Sequence, residues 1–302
     1  MGMDLTRLQL SDLDPVLALV QEAGRAILEL YGTSRERSPV EWKADRTPLT
    51  RADQAAHQVL LQGLQELTPR VPVVSEEGDL GGWIGADAPS HEGPEKEWDE
   101  GNAGRRPPGR TVPLQVPHWM VDPLDGTKEF IKGTGEFTVN VALIQAGRPV
   151  LGVVHAPVLR RSWLGASDGA LHVTETEIRA LQVRRADPAS LSVVASRDHA
   201  GPQVQTLLAA LPGARTLSMG SSLKFCLIAQ GEADLYLRDG PTMEWDTAAA
   251  QAVLEGAGGG VFTLDGRRLD YGKPHLRNPH FVAAGDPALQ WRDLIPQAPS
   301  DG

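Results

Sequence analysis

The sequence predicts a layered α/β protein built from two joined lobes. Three patterns carry that expectation. Apolar residues recur at helical spacing in two N-terminal segments, residues 137–172 read as successive strands, and strands alternate with helices across the C-terminal half. A chain of 302 residues is long for a single core, and its 41% hydrophobic fraction is enough to bury a substantial interior.

The first helix is expected over residues 13–31, where Val16, Leu17, Val20, Ala23, Ile27 and Leu30 mark one face. Asp14-Pro15 can open it and Gly32 can close it. A second helix is expected over residues 50–67, with Thr50 and Asp53 in a capping-box relation, although Asp stands where Glu is usual. Residues 71–75 then read as a strand that delivers Glu76 at its end. Residues 79–115, rich in Gly, Pro and charge, read as an exposed excursion. A short strand over 118–121 ends at Asp122. Strands over 137–144 and 150–155, joined by a turn at Gly147-Arg148-Pro149, suggest an antiparallel meander. Beyond it, strands are expected at 191–196, 233–237, 261–264 and 281–284, and helices at 203–211, 221–230 and 245–256. The expected division is an N-terminal α+β lobe over 1–155, carrying a charged insertion at 81–113, and a C-terminal α/β lobe over 156–302.

Net charge is -10 and unevenly placed: residues 75–101 hold nine acidic side chains against one base, Lys96. An acidic surface repels long polyanions, which argues against a nucleic-acid polymer or an anionic membrane as the main partner. A small phosphorylated metabolite remains open, because metal ions and a few cations reverse the sign locally. The one cysteine, Cys226, excludes an intramolecular disulfide and agrees with a reducing cytoplasm. Its apolar helical setting suits a packing thiol better than a nucleophile. The N-terminus shows no signal-peptide pattern. No uninterrupted apolar run approaches the ~20 residues of a membrane span. A cytoplasmic protein without a transmembrane segment is the expectation.

The segment from Val121 to Phe130, Val-Asp-Pro-Leu-Asp-Gly-Thr-Lys-Glu-Phe, carries the most chemistry. It sets the carboxylates of Asp122 and Asp125, the carbonyl of Leu124, the bend at Gly126 and the hydroxyl of Thr127 within six residues. Hard divalent cations such as Mg²⁺ take that set of oxygens and commonly hold a substrate phosphate as a further ligand. Pro123 stiffens the chain and Gly126 permits a bend other residues resist, so both carboxylates can converge. Each piece also has a plainer meaning. Asp-Pro and Asp-Gly are turn dipeptides, the Glu76-Glu77 pair could simply be solvated, and Asp246 and Asp53 could serve only helix starts. The weight falls on the set of segments together.

That set resembles the paired signatures of the inositol monophosphatase superfamily: Ser75-Glu76-Glu77, Asp122-Pro123-Leu124-Asp125-Gly126-Thr127, and Trp245-Asp246-Thr247-Ala248-Ala249. Further segments resemble its bacterial 3′(2′),5′-bisphosphate nucleotidase branch. They are Lys43-Ala44-Asp45, Pro48-Leu49-Thr50-Arg51-Ala52-Asp53, Lys128-Glu129-Phe130-Ile131-Lys132 and Gly220-Ser221-Ser222-Leu223-Lys224-Phe225-Cys226. The likeness runs from about Leu13 to Phe281. It implies a fructose-1,6-bisphosphatase-like αβαβα sandwich whose C-terminal lobe closes the active site. It also implies a Mg²⁺-dependent phosphatase acting on adenosine 3′,5′-bisphosphate to give AMP and phosphate, with a place in sulfur assimilation and inhibition by Li⁺.

Carried over position by position, the resemblance makes Glu76, Asp122, Asp125, Asp246 and the Leu124 carbonyl ligands of Mg²⁺. Thr127 and Asp53, with Glu76 beside them, would orient and activate the attacking water. Gly126 and Thr127 would meet the scissile phosphate, and Glu76, Leu124, Asp125 and Asp246 would count among the substrate-binding residues as well. Ser221, Lys224 and Arg238 would hold the second phosphate, and His199 would line the nucleoside pocket. Lys224 and His199 could equally be a solvated helix lysine and a loop histidine. The stretch from Gly81 to Pro113 is longer and more charged than the family pattern. Two other functions stay open at this level. One is an inositol monophosphatase or broad sugar-phosphate phosphatase; the other is a non-catalytic nucleotide or phosphate sensor.

Overall fold

In the computed structural model of the chain, the described residues are Leu5, 8–35, 48–78, 116–195, 201–211, 213–273 and 275–295. The expected insertion at 81–113, the Lys43-Ala44-Asp45 segment and His199 lie outside them.

Helix α1 (Asp14–Arg35) opens on Asp14 and Pro15, and buries Val16, Val20, Ala23 and Ile27 along one stripe. Helix α2 (Pro48–Leu67) starts two residues earlier than the sequence suggested, with Pro48 in its first turn. Thr50 therefore lies in the first turn of the helix and not at its N-cap position. Asp53 is a buried residue of α2, 9% exposed.

Both helices cover one face of a seven-stranded sheet. Its strands are β1 (Val73–Ser75), β2 (His118–Asp125), β3 (Thr138–Gln145), β4 (Arg148–Ala156), β5 (Arg161–Ala166), β6 (Gly169–Val173) and β7 (Ile178–Ala180), in that spatial order. β1 runs parallel to β2, and every later neighbour is antiparallel, which is the expected meander with β7 added at its end. The first sheet continues through Ala180, past the expected division at 155/156. Away from the bulges the faces alternate. Trp119, Val121, Val139, Val141, Leu143, Leu151 and Val153 join the core under α1 and α2, whereas Met120, Ala142, Ile144 and Val154 face the other way.

A second sheet holds β8 (Ser192–Ala195), β9 (Arg215–Ser218), β10 (Leu235–Arg238), β11 (Gly260–Thr263) and β12 (Phe281–Ala284), in the order β11-β12-β10-β8-β9. Helices α5 (Leu223–Ala229) and α6 (Ala248–Gly256) lie between the two sheets, in one core shared by both. Helix α4 (Pro202–Ala210) and the short α7 (Trp291–Leu294) cover the far face of the second sheet. The result is helix, sheet, helix, sheet, helix: the expected five-layer αβαβα sandwich. Sequence periodicity missed β7, β9, α7 and the six-residue helix α3 (Thr127–Lys132), all too short to show a period.

Candidate active site

Glu76 follows the last residue of β1, and its N–H donates to the Val121 carbonyl at 3.2 Å, prolonging the parallel pairing with β2. One strand over, β2 carries Asp122 and Asp125. Residues three apart on a regular strand point to opposite faces. Here the register shifts between them: Asp122 pairs with Asn140 and Asp125 with Thr138, so β2 uses one residue more than β3. That bulge, at Pro123, brings both carboxylates onto the same face. The Leu124 N–H donates to Asp122 Oδ1 at 3.1 Å and tightens the turn. Leu124 itself is anchored in the core beneath α1 and α2.

Gly126 (φ 98°) occupies the left-handed region, and a Cβ there would meet the Glu136 carbonyl and Phe137 at 3.2 Å. The turn it permits leads directly into α3, whose first residue is Thr127. Phe130 pins α3 through a triangle of rings with Tyr31 and Phe137, at centroid distances of 5.1 and 5.4 Å.

The remaining parts come from the middle helical layer. Asp246 ends a 3₁₀ turn (Glu244–Asp246) just before α6, and its Oδ2 accepts the Met243 N–H at 2.8 Å. It does not cap α6. Behind it, the fully buried Glu244 accepts the N–H groups of Gly272 and Lys273 at 2.7 and 2.9 Å and pairs with the Lys273 ammonium. The Thr247 hydroxyl donates to the Glu244 carbonyl and receives bonds from Tyr271 and Asn278. Ser221 has φ 45° and stands outside α5, which begins two residues later than expected. Lys224, in the first turn of α5, is not a solvated helix lysine: it is 6% exposed, its Nζ donates to the Ser221 carbonyl at 2.6 Å, and it lies over the Tyr236 ring.

These elements enclose one cavity of about 280 Å³. Its wall includes Glu76, Asp122, Leu124, Asp125, Gly126, Thr127, Ser221, Lys224, Arg238 and Asp246, every predicted site residue except two. Asp53 is not on the wall, although its charge reaches Asp122. His199 lies outside the described residues. The wall also holds Lys128, Glu129, Ser222, Phe225, Thr242, Thr247 and Phe281, to which the sequence reading gave no role.

Sequence reasoning also missed what fixes Asp125. Its Oδ2 accepts the Ser222 N–H at 2.6 Å and lies 3.5 Å from Asn140 Nδ2. The Ser222 hydroxyl donates to Asn140 Oδ1 at 2.9 Å and lies 2.8 Å from Thr138 Oγ1. A signal for this network was present: Thr138 and Asn140 are the alternate polar positions of an otherwise apolar strand.

The electrostatics follow from burial and crowding. The Asp122 carboxyl is pushed well above the usual range, first by burial and then by the charges of Glu76, Asp125, Asp246 and Asp53. Burial and Asp125 push Asp246 up to about 8. Asp125 is raised by burial, with Lys224 and the Ser222 N–H opposing. Burial lowers Lys224 to about 8. Among the described residues, no group of three or more His, Cys, Asp or Glu side chains is gathered tightly enough to form a metal-binding cluster. The donor chemistry nevertheless fits a hard cation: carboxylates and a carbonyl, with no sulfur or imidazole on the wall, hold crowded negative charge that a divalent ion would neutralise. In the same cavity Arg238 donates to the Pro241 carbonyl at 3.1 Å, while its buried Nε has no hydrogen-bond partner. That leaves a donor for an anion.

Known proteins resemble the chain over most of its length. Residues 10–292 match the model of the Inositol monophosphatase family. The chain is 45% identical over 271 residues to the 3′(2′),5′-bisphosphate nucleotidase CysQ of Escherichia coli K12, covering 89% of this chain and 98% of that protein. It is 36% identical over 260 residues to the protein of the same name from Buchnera aphidicola, covering 86% and 87%. The crystal structure of CysQ from Bacteroides thetaiotaomicron, a bacterial member of the inositol monophosphatase family, superimposes with a TM-score of 0.71 at 34% identity, over 91% of this chain and 97% of that one. An inositol monophosphatase from Zymomonas mobilis shares the fold at 23% identity, with a TM-score of 0.67 over 95% of this chain and 98% of that one. The chain belongs to the inositol monophosphatase family.

Proposed function

We propose that this protein is a Mg²⁺-dependent 3′(2′),5′-bisphosphate nucleotidase that removes the 3′-phosphate of adenosine 3′,5′-bisphosphate, leaving AMP and inorganic phosphate. One observation carries the reading: a single cavity joins the crowded carboxylates of Glu76, Asp122, Asp125 and Asp246 to two cations, Lys224 and Arg238. A simple monoester has one phosphate for the acidic group to handle through a cation. A second phosphate gives Lys224 and Arg238 a partner, and a substrate lacking it leaves both without one. The relatives named as nucleotidases over nearly their whole length support the same substrate class.

In this reading Glu76, Asp122, Asp125, Asp246 and the Leu124 carbonyl hold Mg²⁺. When bound, the ion supplies Lewis-acid stabilisation of the phosphoryl oxygens and lowers the pKa of water. The chain's own groups do the rest. Gly126 lets the scissile phosphate approach the backbone. The Thr127 hydroxyl orients the attacking water and passes its proton toward Asp53. Ser221, Lys224 and Arg238 fix the second phosphate, and His199 is assigned to the nucleoside. Among the described residues no helix is long and apolar enough to cross a membrane. The lone buried Cys226 suits the reducing cytoplasm in which such an enzyme would serve sulfur assimilation.

The test is phosphate release in saturating Mg²⁺ from adenosine 3′,5′-bisphosphate and, side by side, from inositol 1-phosphate. The nucleotide should turn over at least tenfold faster by kcat/KM. Equal rates would point to a broad polyol phosphatase, and nucleotide binding without phosphate release would point to a sensor.

A further inference from the structure

Helix α4 starts without a cap of its own. Its N-cap residue is Gly201, which has no side chain to accept the free N–H groups of the first turn. The acceptor comes from another element. Asp239, immediately after β10, directs Oδ2 at the N–H of Gln203 (3.0 Å) and of Val204 (3.4 Å). The fit is tight: a Cβ on Gly201 would lie 2.1 Å from that oxygen.

Asp239 also follows Arg238, the cavity arginine. Arg238 is the last residue of β10, paired with the cavity residue Phe281 of β12. Beyond it the chain turns back on the guanidinium: Arg238 donates to the Pro241 carbonyl, and a Cβ on Gly240 would lie 3.4 Å from the guanidinium carbon. This turn is held at one end by the sheet and at the other by the bond from Asp239 to α4.

We propose that Asp239 is a positioning residue for substrate selectivity: by tying the 238–241 turn to the start of α4, it aims Arg238 at the second phosphate of the substrate. This rests on the nucleotidase reading. Asp239 is not on the cavity wall. Its loss should therefore weaken binding of the doubly phosphorylated substrate and leave the chemical step intact.

The experiment compares adenosine 3′,5′-bisphosphate with adenosine 3′-monophosphate, which lacks the second phosphate, in saturating Mg²⁺. Asp239→Ala should raise KM for the bisphosphate about tenfold, with kcat within twofold and the monophosphate kinetics unchanged. Asp239→Asn keeps a side-chain oxygen as acceptor and should stay within threefold of wild type. Gly201→Ala, which forces the carboxylate away without altering it, should move KM in the same direction as Asp239→Ala. Circular dichroism and the unfolding midpoint check that each variant is folded. The proposal is overturned if Asp239→Ala leaves the ratio of the two substrates unchanged, if it lowers kcat for both, or if Asp239→Asn is as damaging as the alanine variant. Arg238→Ala separates the levels. If it leaves the ratio unchanged, the second-phosphate assignment falls and the tether's role falls with it; if it shifts the ratio and Asp239→Ala does not, only the tether falls.

Discussion

Gly152 of β4 pairs directly with Gly165 of β5, and helix α6 rests on the pair at backbone distance. A Cβ on Gly152 would lie 2.4 Å from the Ala249 carbonyl oxygen, and one on Gly165 2.3 Å from the Val253 Cα. The Ala-rich sequence of α6 is the other half of this fit. The contact sets the height of Asp246, two residues before α6, above the carboxylates of β2.

Gly152→Ala should therefore cost stability and activity together. Backbone atoms cannot swing aside as a flexible side chain would, so overpacking here should cost about 3 kcal/mol. The lift of α6 should also reduce Mg²⁺-dependent kcat about tenfold. Urea unfolding and steady-state kinetics on the one variant check both.

Asp122 is held among four other acids and buried, so its charge opposes folding. Asp122→Asn should raise the unfolding free energy without metal by about 1 kcal/mol, in the manner of active sites that trade stability for function. Under the nucleotidase reading Mg²⁺ should stabilise the wild type and not the variant, and the variant's activity should fall by a factor of at least about 10³. Thermal midpoints with EDTA and with Mg²⁺, alongside phosphate release, test all three.

Lys224 titrates at about 8, lowered chiefly by burial, and under the nucleotidase reading only its charged form binds the second phosphate. As pH rises through 8 that charge is lost. KM for adenosine 3′,5′-bisphosphate should climb about tenfold between pH 7 and 9, and KM for the 3′-monophosphate should not follow. Lys224→Arg should flatten the alkaline rise, because a guanidinium stays protonated throughout.

His155, far from the cavity, offers a stability prediction of definite sign. It is buried on β4, with Nδ1 2.8 Å from the Ser162 hydroxyl, and burial lowers its pKa from 6.5 to about 4. The unfolded chain thus binds a proton that the folded chain refuses. The stability tied to this histidine is complete above pH 6.5 and is lost as pH falls toward 4, by about 3 kcal/mol in all. The raised carboxyls of Asp122 and Asp246 act in the opposite sense, so the measurement is a difference. His155→Gln should lose less stability than wild type between pH 7 and 4 in urea titrations.

The long periodic elements were legible in the sequence. The stripe Val16, Val20, Ala23 and Ile27 announces α1, and alternation announces β3 and β4. The acidic group was legible too, because Glu76, Asp122, Asp125 and Asp246 each sit in a distinctive local segment. What was not legible depends on contacts between segments. The register shift that aligns Asp122 with Asp125 is defined only against β3. The hold of Ser222 and Asn140 on Asp125 joins residues 97 and 15 positions away. Asp239 looks like an ordinary turn residue until α4 is placed beside it. How far the first sheet runs was not legible either, because the membership of the short β7 is settled only by its pairing with β6.

The middle layer of α5 and α6 has a mechanical consequence. A protein whose two sheets each had their own covering could flex between them like a book about its spine. Here the same two helices are glued to both pages, and they carry Lys224 within one and Asp246 at the threshold of the other. Opening the book would pull Lys224 and Asp246 away from the carboxylates of β2, because the helices that bear or adjoin them are packed on both sheets.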